Sequence, residues 1–346
     1  MKEMKTYACY NRDNSIRMGS SSGGIFSLLA KGILSHCGIV YGVAMTEDCY
    51  SAEFIRVTDV NNLPKLRGSK YLQARMGNTF KRVKDDLTNG KIVLFAGTGC
   101  QVNGLKRYLG KDYEKLICLD FICHGVPSPR LWKQYVEYVE EKNKGKVIST
   151  NFRCKNAHWS KLENKDIVKT KKRFISKDDD LYMQMFLKDI CLRPSCYKCI
   201  AKKIKMSDVT IADFWGIEEI APEMDDGKGT SLLMIRTEKG KKLFEYLLDE
   251  IKFKEVTYEN GVRYNPSEYK CTKKPEERNI FFYDMNELQF EELVKKYLNI
   301  SKMSFGKKIF AKGKRWGKGI LQALSCMKKS NEEYGILFIF STEKEQ

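Results

Sequence analysis

Long apolar runs are missing from this 346-residue sequence. Its first residues, MKEMKTYACYNRDNS, contain none of signal-peptide length, and nowhere do roughly 20 apolar residues follow one another as a bilayer span requires. The expectation is a cytoplasmic protein whose thiols stay reduced. No internal repeat is present, and Cys196-Tyr-Lys-Cys199 has no second CxxC pair, which a two-knuckle zinc site usually shows. Acidic residues are absent between Ser301 and Ser330, where nine basic ones fall.

What is present bounds the rest. Hydrophobic residues make up 42% and aromatics 12%, enough to build a core, so the chain is not a disordered one. Twelve cysteines in a reducing compartment point to metal or redox chemistry more readily than to disulfides. A net charge of +18 suggests an anionic partner: a phosphate-bearing cofactor, an acidic protein, nucleic acid or a lipid surface.

The pattern along the chain is α/β, mixed α+β. GSSSGGIF (19–26) reads as a loop feeding a helix, and GIVYGVAM (38–45) with SAEFIRV (51–57) reads as a hairpin. KIVLFAG (91–97), QVNGLKRYL (101–109) and LICLDFIC (116–123) form a strand, a helix and a parallel strand, a βαβ unit. Ligands in such sheets bind beyond the carboxyl ends of the strands, where this reading puts Cys100 and Cys123. A Pro-started helix follows Pro127, then an amphipathic helix at 178–190, a strand at 207–216, another at 230–237 and a helix at 238–251. The expected division is 1–126 for an N-terminal part built on the βαβ unit, 127–255 for a second, smaller α/β domain with the CxxC and DFWG segments, and 256–346 for an extension with a basic helical tail.

Cys196 and Cys199 stand one turn apart, near enough to share one ion or cluster. Cys100 and Cys123, each in a loop at a strand end, complete a four-thiol set. Four thiolates suit zinc or iron and sulfide alike; drawing single cysteines from a βαβ core tilts the reading toward a cluster. Cys118 reads as core, and the other cysteines, Cys271 among them, have no partner at ligand spacing. Ser21, Ser22, Gly23 and Gly24 offer backbone amides to a phosphate, although such loops are also common linkers. Gly97, Thr98, Gly99 and Gln101 surround Cys100 at a helix start, which suits a pyrophosphate or lowers a thiol pKa. His124, beside Cys123, is the catalytic candidate; its plainer reading is a structural histidine. Asp213, Trp215 and Gly216 read as a turn where an aromatic packs on a flat ring, or as a helix cap beside a core tryptophan.

Taken together, SSSGGIF, GTGCQVNGLKRYLG, CHGVPSP, FR followed by a tryptophan, LRPSCYKC and SDVTIADFWGI with DDGKGTS resemble the beta-subunit family of coenzyme F420 (deazaflavin) hydrogenases and dehydrogenases. The resemblance spans roughly 5–255. It implies an oxidoreductase that binds FAD and a 4Fe-4S cluster, with the cluster motifs falling on Cys100, Cys123, Cys196 and Cys199. It also implies a redox partner protein or small-molecule electron carrier, and an organic substrate the sequence does not name. Lys70 and Arg67 then become partners for FAD phosphates, or plain solvated cations. Two departures stand out: the ferredoxin-like run of cysteines that many relatives carry is missing, and GTGCQ has no proline before its cysteine.

A rival from another class is a zinc-stabilised, non-enzymatic module binding an anionic partner such as nucleic acid. The basic excess is densest far from the cysteines in sequence, at 301–330, which speaks against it. That tail, with Phe305, Ile309, Phe310, Trp316, Ile320 and Leu321, reads as an amphipathic contact for a membrane surface or partner, or as a solvated end.

Overall fold

The structure, a computed structural model, describes residues 4–155, 159, 163–168, 171–176 and 178–298. The basic segment 301–330 therefore lies outside the described residues. Two compact units divide the chain, Met1–Leu293 and Val294–Gln346; of the second, only 294–298, the end of one helix, is described.

In chain order the first half runs β1 (Lys5–Asn11), α1 (Asn14–Met18), α2 (Ile25–Ser35), β2 (Ile39–Met45), β3 (Ala52–Val57), α3 (Thr79–Thr88), β4 (Val93–Thr98), α4 (Gly99–Leu109) and β5 (Leu116–Phe121). Next come α5 (Pro129–Asn143), β6 (Val147–Cys154), β7 (Glu163–Val168), β8 (Lys171–Ser176) and α6 (Leu181–Leu187). The remainder is β9 (Val209–Asp213), α7 (Ile217–Ile220), β10 (Ser231–Ile235), α8 (Glu238–Glu245), β11 (Ile251–Val256), α9 (Tyr258–Val262), α10 (Arg278–Glu287) and α11 (Phe290–Tyr297).

Eight strands form one sheet in the order β11-β1-β10-β9-β5-β4-β2-β3, and β6, β7 and β8 form a separate antiparallel sheet. The expected hairpin and βαβ unit are both present: β2 pairs antiparallel with β3, and β4 pairs in parallel with β5. β4 is buried along its whole length, which is why it reads as an unbroken apolar run rather than an alternating one. On one face α2 and α8 cover the sheet through Leu28, Leu29 and Phe244; on the other, Val83 of α3 with Val102 and Leu105 of α4 cover the β2-β4-β5 end. Burying each leucine of this kind contributes about 2 kcal/mol.

The boundary expected at 126/127 falls inside the first unit, and strands from both sides of it share the large sheet, since β9 continues the parallel run of β5. The helix expected over 238–251 stops at Glu245, because Ile251–Val256 is claimed by pairing with β1. Strands β2, β4, β5, β9 and β1 point the same way, the last through its antiparallel partner β10. Their carboxyl ends therefore place residues 12–24, 98–101, 122–126 and 213–216 along one edge.

Candidate functional site

Gln101 Oε1 accepts from the Thr98 amide at 2.8 Å, closing the first turn of α4 and fixing Cys100 within it. Glycine at 99 allows a close approach here. A Cβ would stand 3.0 Å from Asp120 Oδ2 and 3.1 Å from Ala201 Cβ, so its absence lets the turn after Cys199 close against the start of α4. Cys196 and Cys199 sit on and just after the 3-10 turn Pro194–Lys198, while Cys123 lies two residues past β5 with its carbonyl held by Lys202 Nζ.

All four thiols interact. A hydrogen bond from Cys199 holds the Cys100 thiol down to about 7; partial burial opposes this, and the Thr98 hydroxyl, 3.1 Å away, adds to it. The same bond, followed by burial, pushes Cys199 up. Burial raises Cys123 to about 11 and also raises Cys196, and the charges of the neighbouring cysteines act on both. Among the described residues, no group of three or more His, Cys, Asp or Glu side chains closes tightly enough to hold a metal ion as it stands. A 4Fe-4S cluster would instead take one cysteine sulfur on each of its four irons, and Cys100, Cys123, Cys196 and Cys199 are a donor set of that kind.

A fifth thiol joins this group. The Cys199 amide donates to Cys271 Sγ at 3.2 Å, although Cys271 lies 72 residues further along the chain. Sequence spacing had given it no partner. Cys118 and Cys191 are fully buried, the latter donating to the Met185 carbonyl, and belong to the core. His124 Nε2 lies 2.5 Å from Asp189 Oδ1, and Thr272 Oγ1 donates to the other carboxylate oxygen of Asp189. Tyr197 donates to the Asp189 carbonyl, and Asp189 itself takes the left-handed backbone with φ 64°. One strained aspartate thus joins His124, the CxxC turn and the segment carrying Cys271.

The Ser/Gly loop is bonded differently. Ser22 Oγ donates to the Thr230 carbonyl at 2.8 Å, the Gly23 amide to Ser231 Oγ at 2.9 Å, and Ser21 Oγ accepts from the Ser69 amide at 2.9 Å. A Cβ on Gly23 would lie 2.6 Å from the Cys9 carbonyl oxygen, and Gly24 caps α2 with φ 80°. Lys155 Nζ donates to the carbonyls of Arg17, Ser22 and Lys228, and burial first, then the nearby Arg17 charge, lowers it to about 7. Lys70 Nζ donates to the carbonyls of Lys65 and Arg67, and burial lowers it to about 7 as well. Lys70 and the serine hydroxyls are thus engaged within the protein.

Next to this loop, Arg153 Nη1 pairs with Asp213 Oδ2 at 2.6 Å, and its guanidinium lies 5.6 Å from the centre of the Trp215 ring. Trp215 packs on Trp159 with ring centres 4.9 Å apart. Arg153 Nη2 is buried with no hydrogen-bond partner among the described residues, a donor left over in an otherwise bonded site. Gly216, at φ 76°, passes so close to Tyr264 that a Cβ would overlap its ring. The Phe121–Ile211 pairing continues through the Ile122 amide to the Ile211 carbonyl, so Cys123 and Asp213 leave the sheet on neighbouring strands.

The structure thus gathers Cys100, Cys123, Cys196 and Cys199, brings Asp213, Trp215 and the Ser/Gly loop side by side, and sets both groups along one edge. Arg153, Lys155, Asp189 and Cys271 were not among the expected site residues; only the FR pair within the family-like motifs signalled any of them. A cavity of about 520 Å³ lined by Lys106, Tyr113, Asp208 and Lys239 opens at the opposite edge of the sheet and holds none of these groups.

Residues 6–81 match the model for the N-terminal part of the coenzyme F420 hydrogenase/dehydrogenase beta subunit, and residues 90–260 match the model for its C terminus. The first match ends and the second begins on the amino-terminal side of β4. A comparison with curated proteins finds no match. Among solved structures, the chain is similar in fold to one from the F420-reducing NiFe hydrogenase complex of Methanosarcina barkeri, determined as a xenon derivative. The TM-score is 0.51 at 12% identity, covering 84% of this chain and 91% of that one. With both halves matched in order, the chain belongs to the coenzyme F420 hydrogenase/dehydrogenase beta subunit family, a family of redox-enzyme subunits.

Proposed function

We propose that this chain is an iron-sulfur flavoprotein oxidoreductase that passes electrons between a 4Fe-4S cluster, FAD and an organic substrate or electron carrier. The supporting observation is that four thiols from three segments meet at one sheet edge, where Cys123 follows the strand next to the one that leads to Asp213 and Trp215. Cys100, Cys123, Cys196 and Cys199 would hold the cluster. The loop Ser21–Gly24, Lys70, the turn Gly97–Gln101, and Asp213, Trp215 and Gly216 would border the flavin. When bound, the cluster supplies one-electron chemistry and the flavin exchanges electron pairs.

The chain's own groups have separable tasks in this reading. Trp215, stacked on Trp159, offers a flat apolar wall, and Arg153 offers a buried cationic donor already oriented by Asp213. Asp189 orients His124, which places an imidazole next to Cys123 on the edge that substrate must approach. Protein purified without oxygen should be brown, lose visible absorbance on reduction with dithionite, and release a flavin when denatured. Colourless protein would defeat the proposal.

A further inference from the structure

The surface around the cysteine group is strongly cationic. Segments 188–206 and 269–275, which carry Cys196, Cys199 and Cys271, contain nine lysine and arginine residues and one acid, Asp189, with Glu276 and Glu277 just beyond. That one carboxylate is already taken by His124 and Thr272. Lys205 pairs with the buried Glu268, and Lys202 is turned inward to carbonyls. By contrast, Lys188, Arg193, Lys203, Lys270, Lys273 and Lys274 are exposed and form no ion pair among the described residues. Lys188, Lys273 and Lys274 line a shallow cavity of about 260 Å³ together with Thr272 and Glu276.

Apolar side chains stand open within this collar. Leu187 is 52% exposed, Ile200 46%, Tyr269 45% and Ile204 40%; Ile200 directly follows Cys199. Unpaired cations with apolar contacts between them are the make-up of a protein-docking surface, with the charges steering and the apolar groups seating the partner. A structural role does not explain them, since each lysine raises the repulsion on its neighbours without a partner to offset it.

We infer that this collar is the docking surface of an acidic electron-carrier protein, which brings its own redox group up to the cysteine group. The inference rests on the proposed redox role of those cysteines. Position selects the occupant: a partner seated elsewhere on the molecule gains nothing from proximity to the thiols, whereas one seated here needs to cross only the turn that carries them. Opposed charge makes the encounter fast and reversible, as repeated electron delivery requires.

The test uses the full-length protein, purified anaerobically with its iron and flavin content measured first, and a small acidic 4Fe-4S ferredoxin as the probe. Affinity is read by calorimetry and electron-transfer rate by stopped flow, each from low to high salt. The wild type should lose affinity and rate steadily as salt rises. The variant K188E/K203E/K273E/K274E should lose about tenfold or more in both at low salt, with iron and flavin contents unchanged. A milder K273Q/K274Q variant should fall between the two, and reversal of the exposed Lys81 and Lys84 on α3 should change neither reading. Equal affinity in the reversed and wild-type proteins would overturn the inference, as would an equal loss on reversal at α3. Salt-sensitive binding of a single-stranded oligonucleotide through the same lysines, without ferredoxin binding, would overturn it too. Wild-type protein free of iron and flavin would instead defeat the underlying redox reading, and that result is known before any probe is added.

Discussion

The two ends of the functional edge are built on opposite terms. Around Ser21–Gly24 the groups are tied down: the hydroxyls of Ser21 and Ser22 and two lysine ammonium groups meet backbone partners, the Gly23 amide meets Ser231 Oγ, and buried Arg153 meets Asp213. Around Cys100 and Cys199 the thiols meet mostly one another, on 3-10 turns and loop ends, inside a collar of unpaired cations. At one end most polar groups are engaged within the protein, with Arg153 Nη2 left over as a donor. At the other the sulfur donors have few partners beyond one another, an arrangement that stability alone does not favour.

Substitutions can break or sharpen that contrast. The largest stability effect should come from Arg153→Met, which leaves Asp213 facing a buried gap; about 3 kcal/mol should be lost in denaturant unfolding. A loss within error would mean the Ser/Gly end is not the structural joint described. Gly23→Ala should cost about 2 kcal/mol, because the added carbon meets the Cys9 carbonyl and the Ser231 amide, neither of which can swing aside. At the other end, Cys271→Ala should cost only about 1 kcal/mol, the worth of one hydrogen bond, with iron content unchanged. Loss of iron in that variant would make Cys271 a ligand.

The smallest signal is a slope. Lys155 has its folded pKa lowered to about 7, below its unfolded value, so between those two values the unfolded chain binds more protons and stability rises with pH. That contribution is fully present only above the unfolded pKa and fades as pH falls toward 7. Comparing wild type with Lys155→Met from pH 7 to pH 10 should show the difference in unfolding free energy shift toward the wild type as pH rises; a constant difference would mean the buried lysine does not titrate there.

Much of this arrangement was legible because it is local. The β4-α4-β5 unit and the β2-β3 hairpin are written in apolar runs and turn residues a few positions apart, and Cys100 and Cys123 inherit their places from the strands they follow. β1 was not legible: KTYACYN is buried on both faces and does not alternate, and its partners lie more than 200 residues away, as Lys5 opposite Ile235 shows. Its capture of β11 also explains why the helix read through 251 stops short. Cys271 escaped for the same reason, since only the folded chain brings it to the Cys199 amide. Asp189 and Arg153 looked like ordinary charged residues until burial and a left-handed backbone set them apart.

Metal stoichiometry tests the central claim most directly. Anaerobically purified protein, assayed for iron, acid-labile sulfide and zinc beside its Cys199→Ala variant, should contain about four iron and about four sulfide per chain, and the variant should lose most of both. One zinc per chain, with no sulfide in either protein, would contradict it.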